Sequence, residues 1–286
     1  MKSLCAAIVL ALAAGQTASY RAELDTYRQK RLAELTAPNG WLAVQGLFWL
    51  HDGANSAGSD PASEIKLPAR APKRLGVFTL AAGKVTFAPD PAAHVEVAGK
   101  HASGPVVLAG GESNAVVSAR ISLFVIRRGD RVGLRMLDPD SPARRRFAGL
   151  RYFPTDPAYR LKARFTPYQA MKTVSVLNVL GQLVPMESPG YVEFTLEGRT
   201  WRLEPVYETS RREDLFFIFK DLTSRTETYE AGRYLHAPLP KDGYVDLDFN
   251  RAYNPPCAFT GFATCPLPTK DNQLAVAIRA GELRHH

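Results

Sequence analysis

The chain has only 3 cysteines, 4 methionines, 3 tryptophans and 6 histidines in 286 residues. Cysteine scarcity excludes a disulfide scaffold as the source of the fold, and a 45% hydrophobic content is enough for an ordinary core. No stretch approaches about 18 uninterrupted apolar residues, which argues against an integral membrane protein built on helices. The sequence has no Gly-x-Ser-x-Gly elbow, no His-Glu-x-x-His pair and no glycine-rich nucleotide loop; Gly111-Glu-Ser-Asn-Ala115 is the nearest miss. Outside His285 and His286 only His51, His94, His101 and His236 remain, so histidine general-base chemistry has few candidates. Neither calcium-loop nor zinc-finger spacing occurs, and no metal or cofactor is expected.

Lys2, the apolar run Leu4 to Ala14 and the small residues Gly15, Ala18 and Ser19 read as a secretory signal over residues 1–19. The mature protein is therefore expected to be periplasmic or secreted, and Cys5 leaves with the signal. In an oxidising compartment the two remaining cysteines, Cys257 and Cys265, most simply form a disulfide. Formal charge is +8, with basic residues clustered at Arg144, Arg145, Arg146 and Arg151, at Arg160, Lys162 and Arg164, and at Arg211 and Arg212. Such a surface attracts anionic glycans, lipid headgroups or acidic small molecules; a solvated basic face is the plainer alternative. Export argues against a nucleic-acid partner.

Strong helix formers fill Tyr20 to Leu35, with Leu24, Tyr27, Leu32 and Leu35 at helical separations before the Pro38-Asn39-Gly40 turn, so a helix is expected within 20–38. From Trp41 the pattern changes to short runs broken by Gly, Pro and Asn, among them Ile65–Leu67, Gly76–Leu80, Lys84–Phe87, Ile121–Ile126 and Arg131–Leu137. This predicts a β-sandwich-like domain over 41–140. Gly129-Asp130 reads as a hairpin turn. Beyond the polar, proline-containing Asp138–Ala143, a second antiparallel β-rich domain is expected over 141–286. Its strands are Tyr159–Phe165, Thr173–Val179, Gly190–Leu196, Thr200–Pro205, Leu215–Phe219, Gly243–Phe249 and Leu274–Ala280. The fold class is mainly β, a helix followed by two β domains.

Two polar connections in the second half stand out. Asp221 to Leu235 gathers hydroxyls, acids, Tyr229 and Arg233 at the end of a buried-looking strand, where scaffolds place binding groups. Arg233 can pair bidentately with an anion, and Tyr229 offers a flat face with a hydroxyl. A salt bridge from Arg233 to Asp221 or Asp248, locking two loops together, is the structural alternative. Asp246 to Cys265 places Asp248, Asn250, Tyr253 and Asn254 just before Pro255-Pro256 and holds both cysteines. These groups either bind a polar ligand or satisfy turn backbone themselves. An acid pair such as Asp221 with Glu227 or Asp248 would suit glycoside chemistry if the fold brought the carboxylates together.

The stretch Gly53 to Leu67, a glycine-containing turn before Glu64-Ile-Lys-Leu67, resembles the strand-loop-strand of forkhead-associated domains. That resemblance implies a β-sandwich adapter. The phosphate readers of such domains are missing, since Ser59 follows Gly58. Several longer phrases, Gly46-Leu-Phe-Trp-Leu50, Leu150-Arg-Tyr-Phe-Pro154, Gly232-Arg-Tyr-Leu235 and Asp248-Phe-Asn-Arg-Ala-Tyr-Asn-Pro-Pro-Cys257, resemble the bacterial and archaeal family of domain of unknown function 1684 (DUF1684) from about Tyr20 to Glu282. The resemblance implies no activity, substrate or cofactor.

The expected partner is a small polar or anionic ligand, or a glycan, held in a cleft of the C-terminal half by Arg151, Tyr152, Asp221, Tyr229, Arg233, Asp248, Asn250 and Asn254. A structural or adapter protein of the cell envelope and a carboxylate-based hydrolase acting on envelope material are the alternatives. Burial of Arg233, Asp248 and Asn254 in mutual hydrogen bonds would favour bracing.

Overall fold

The computed structural model describes residues 2–285, with side chains from Ala18 onward. The expected signal at 1–19 thus lies outside the described side chains except at Ala18 and Ser19. The chain is mainly β, with a long N-terminal helix followed by antiparallel sheets. It forms two compact units, one of residues 1–34, 148–259 and 264–286, the other of residues 35–147 and 260–263.

Helix α1 (Lys2–Thr36) contains the expected helical segment, and Pro38-Asn39-Gly40 follows its end. Tyr20, Leu24, Tyr27 and Arg31 recur on one stripe at the 3.6-residue period, and Tyr20 and Leu24 are buried.

The unit of residues 35–147 consists of strands β1 (Val44–Trp49), β2 (Gly53–Gly58), β3 (Ile65–Lys66), β4 (Gly76–Ala81), β5 (Lys84–Pro89), β6 (Glu96–Val97), β7 (Lys100–His101), β8 (Val106–Leu108), β9 (Val116–Ser118), β10 (Ile121–Arg128) and β11 (Arg131–Leu137). They form a sheet in the order β1-β11-β10-β9-β6-β7 and another in the order β3-β2-β4-β5-β8. Alternate residues of both sheets meet in one core that includes Phe78, Phe87, Leu123 and Leu134. The Phe78 and Phe87 ring centroids are 4.6 Å apart. Between β10 and β11 the chain reverses at Gly129-Asp130, with Arg128 opposite Arg131 and Gly129 at φ 58°, a left-handed conformation that glycine adopts without penalty. In the stretch that resembles forkhead-associated domains, β2 and β3 pair in parallel, Ala57 with Ile65. A one-turn helix α2 (Pro142–Arg145) follows, with Ser141 as its cap and Pro142 at its first position. Within the arginine cluster, Arg144 donates to the carbonyls of Thr36 and Pro139.

The family of strands beyond residue 148 comprises β12 (Arg160–Leu177), β13 (Leu183–Leu196), β14 (Arg199–Leu203), β15 (Asp214–Phe219), β16 (Arg233–Pro238) and β17 (Tyr244–Asp248). A sheet of order β14-β13-β12-β17 and the β15-β16 hairpin share a core containing Phe194, Leu203, Phe217, Phe219, Leu235 and Leu247. Three expectations are corrected. The separate strands Tyr159–Phe165 and Thr173–Val179 are parts of one strand, β12, whose register shifts between Pro167 and Lys172; a proline interrupts the ladder there without ending the strand. Leu274–Ala280 is not a strand. Its Leu274, Val276, Ile278 and Ala280 are buried in alternation, but the backbone of the segment pairs with other backbone at Lys220 and Leu222 alone and builds no ladder; the carbonyls of Ile278 and Ala280 accept from the Arg233 side chain instead. Arg233–Leu235, read as the end of a connection, opens strand β16.

Candidate functional site

Most of the side chains singled out in the two connections turn inward. Arg233 and Asp221 form an ion pair at 2.6 Å with side-chain exposures of 1% and 0%, and Arg233 also donates to the carbonyls of Ile278 and Ala280. Asp221 further accepts from the backbone N–H and hydroxyl of Thr223. Asp248 accepts from the Tyr20 hydroxyl at 2.9 Å and from Asn250, whose amide also donates to the Asp156 carbonyl. Asn254 is fully buried: its backbone N–H donates to Glu282 at 2.8 Å and its side chain to the Leu283 carbonyl. Tyr229 donates to the Cys257 carbonyl at 3.1 Å, which ties the two connections together. Tyr152 stacks under Arg28, whose guanidinium carbon is 4.3 Å from the ring centroid, and Arg151 is exposed, reaching the Arg284 carbonyl. The Tyr229 contact joins the two polar segments, and most of their other polar groups are satisfied within their own segment, by Tyr20 or Asp156, or by residues 278–283.

Cys257 and Cys265 carry free thiols, not the expected bridge. They are nonetheless neighbours, since the Cys257 backbone N–H donates to Cys265 Sγ at 3.1 Å. A hydrogen bond from Cys265 draws the half-buried Cys257 thiol below its ordinary value, and the same contact together with burial pushes Cys265 up.

An open cleft of about 430 Å³ lies elsewhere on this unit, between α1 and the β15-β16 hairpin. Its position follows from strand periodicity. On β15 the residues Leu215, Phe217 and Phe219 enter the core, which leaves Asp214 and Phe216 on the opposite face. His236 is the register partner of Phe216 and shares that face; their rings stack at 4.8 Å. The chain returning after residue 250 pairs Tyr253 with Tyr234 through two backbone hydrogen bonds of 2.9 Å, which sets Tyr253 beside His236. The result is a hydrogen-bonded chain: Asp214 Oδ2 is 2.9 Å from His236 Nδ1, and His236 Nε2 is 2.9 Å from the Tyr253 hydroxyl. Burial, reinforced by the Glu208 carboxylate, holds that phenol well above its ordinary pKa.

Helix α1 supplies the other wall through Tyr27, Lys30, Arg31 and Glu34, spaced so that one helical face carries all four. Arg31 is fixed before any ligand arrives. Its Nε donates to Glu282 at 3.1 Å, an Nη donates to the Asn254 carbonyl at 2.9 Å, and its guanidinium carbon sits 4.6 Å from the Tyr253 ring centroid. Glu282 is fully buried, and burial raises its carboxyl against the opposing pull of Arg31. Arg251 completes the lining, and the Tyr27 hydroxyl donates to the Arg251 carbonyl.

None of the eight residues expected to bind a ligand lines this cleft. Sequence reasoning missed Asp214, His236, Arg251 and the helix face. The available signals were His236 as one of few histidines and Tyr253 within the most polar loop; the polar residues of α1 carry no motif that marks them.

Residues 145–283 match the model of a family described as a protein of unknown function, DUF1684. The chain belongs to this family. The match is narrower than the expected span from Tyr20 to Glu282: it carries Asp214, His236, Arg251 and Tyr253 and excludes α1. An uncharacterized protein of Haloarcula marismortui, solved by solution NMR, is 31% identical over 50% of this chain and 80% of its own, with a TM-score of 0.41. No curated protein matches the chain. Among the described residues no helix is long and apolar enough to cross a membrane.

Proposed function

We propose that this DUF1684 protein binds a small polar ligand carrying an anionic group in the cleft beside α1. The observation that carries the reading is a concavity of about 430 Å³, within the size range of small-molecule sites, whose lining holds Lys30, Arg31 and Arg251 against Glu34 and Asp214. Because Arg31 is already held by Glu282 and Asn254, its charge is presented without the entropy loss of ordering a long side chain on binding. Tyr27 and Tyr253 add aromatic surface, suited to the apolar part of a ligand whose other end is charged. Two of the residues first expected to bind contact the cleft wall from behind: the Asn254 carbonyl, together with Glu282, positions Arg31, and Asp248 accepts from Tyr20 of the helix.

Isothermal titration with glutarate, citrate, glucuronate and inorganic phosphate tests this directly. At least one should bind with a saturable heat, and Lys30→Ala and Arg251→Ala should each weaken it roughly three- to tenfold, corresponding to about 0.7–1.4 kcal/mol per lost charge contact. Absence of binding across the panel, or affinities indifferent to both substitutions, would remove the reading.

The N-terminal sequence supports export to the periplasm or beyond, and in that setting the adjacent thiols of Cys257 and Cys265 would be joined. N-terminal sequencing of the protein from its native compartment checks the first point. A chain beginning at Met1 would contradict it.

A further inference from the structure

The cleft wall carries more than a binding surface needs. Asp214, His236 and Tyr253 all line it and are connected end to end by two hydrogen bonds of 2.9 Å. An ionised carboxylate can only accept, so His236 Nδ1 holds a hydrogen, and in the neutral ring Nε2 presents its lone pair to the Tyr253 O–H. The imidazole is confined between Phe216 and this chain, with its ring plane 21° from that of Phe216. The charged and titratable groups around it are Asp214 from β15, Glu208 with its carboxylate 3.7 Å from Nε2, the Tyr253 phenol, and Arg31 of α1 over the Tyr253 ring. A residue whose only duty is to shape a pocket does not require this order of acceptor, two-ended carrier and hydroxyl.

We propose that the cleft hydrolyses carboxylic esters of small anionic compounds, with Tyr253 exchanging protons with the reacting water and His236 receiving them; this rests on the anion-binding reading above. In the first step the water oxygen bonds to the ester carbonyl carbon as the carbonyl π pair moves onto oxygen. The water proton passes to the Tyr253 oxygen while the tyrosine's own proton passes to His236 Nε2. On collapse the carbonyl re-forms, the bond to the alcohol oxygen breaks, and the proton returns along the same path to that leaving oxygen. Ester and water give acid and alcohol, and nothing else is consumed. Tyr253 is the catalytic residue, in reach of substrate, whereas Asp214 is a positioning residue acting through the imidazole. Lys30 and Arg251 hold the substrate's carboxylate.

Magnitude selects the substrate class. Acid-base transfer by a positioned side chain contributes on the order of 10²- to 10⁴-fold, and the cleft lining holds no serine or cysteine to act as a nucleophile. That contribution suits esters, whose uncatalysed hydrolysis is comparatively fast, and falls short for amides.

The test uses mono-4-nitrophenyl glutarate as substrate and glutarate as the non-reacting ligand, with the full chain. Wild type should release nitrophenol with saturation, and glutarate should inhibit competitively. Tyr253→Phe keeps the ring beneath Arg31 and removes only the hydroxyl; it should lower kcat at least 100-fold while glutarate affinity stays within about threefold. Asp214→Asn should lower kcat at least tenfold with little change in KM and shift the pH profile of kcat, which a purely structural role would not do. Wild type that binds glutarate but does not turn over the ester overturns the hydrolase and leaves the binding reading standing. Wild type that binds neither overturns both. Turnover unaffected by Tyr253→Phe also overturns the assignment.

Discussion

At the scale of single residues, burial separates the braces from the site. Asp221 and Arg233 are almost completely removed from solvent, and such a pair stabilises weakly when whole yet costs heavily when halved, because the remaining charge is stranded in low dielectric. Asp221→Ala should destabilise the protein by about 3–5 kcal/mol, read as a lower urea midpoint. In the unit of residues 35–147, Asp138 is held by both terminal nitrogens of Arg70 and by the Asp140 N–H. Burial by itself would raise its carboxyl, but these bonds outweigh burial and the net direction is downward. A folded-state pKa below the unfolded value of about 3.9 means that the stabilisation is fully present above that pH and is lost as pH falls through the lower folded value. Asp138→Asn should therefore flatten the acid limb of the stability curve below about pH 4; because Arg70 is partly exposed, the loss at neutral pH should be only about 1 kcal/mol. An unchanged acid limb would contradict the assignment.

At the scale of elements, the cleft is a product of strand periodicity and one close backbone approach. Residues two apart on β15 and β16 share a face, which brings Asp214, Phe216 and His236 together although β15 is otherwise a run of buried apolar residues. Gly281 allows the C-terminal segment to deliver Glu282 to Arg31. It lies at φ 79°, and a Cβ there would meet the carbonyl oxygens of Ala252 and Phe249. Gly281→Ala should cost about 2 kcal/mol or more, combining a left-handed alanine with a displaced backbone, and should loosen the cleft by moving Glu282. Calorimetry should show a lower Tm together with weaker glutarate binding. A variant as stable as wild type would show that the chain accommodates the methyl group elsewhere.

At the scale of the whole molecule, the family match covers the β part of one unit, and helix α1, outside the match, supplies four of the ten cleft-lining residues in that same unit. Closing the loop between Cys257 and Cys265 should raise unfolding free energy by about 2.5 kcal/mol, because so short a loop removes only modest entropy from the unfolded chain. The comparison is between oxidised and reduced protein in denaturant, with mass spectrometry to verify the loss of two hydrogens. A difference near zero would mean that bridging strains the native loop by as much as it constrains the unfolded one.

Local chemistry was sufficient for the class of fold. Alternating apolar residues, the Gly129 turn and the helical spacing of Leu24 and Tyr27 each express a backbone preference that needs no distant partner. The DUF1684 kinship was likewise written in phrases such as Asn254-Pro-Pro-Cys257. Long-range pairing decided the rest. Leu274–Ala280 has the alternation of a strand but no ladder partner, and of the two readings the sequence leaves open for Arg233, anion binding or a salt bridge to Asp221, the enclosure by Asp221, Ile278 and Ala280 selects the second. The Asp214, His236 and Tyr253 chain joins residues from three separated stretches, so no spacing rule could announce it. Whether a polar side chain braces or binds depends on which groups surround it and whether water reaches it, and both are settled only when distant segments pack.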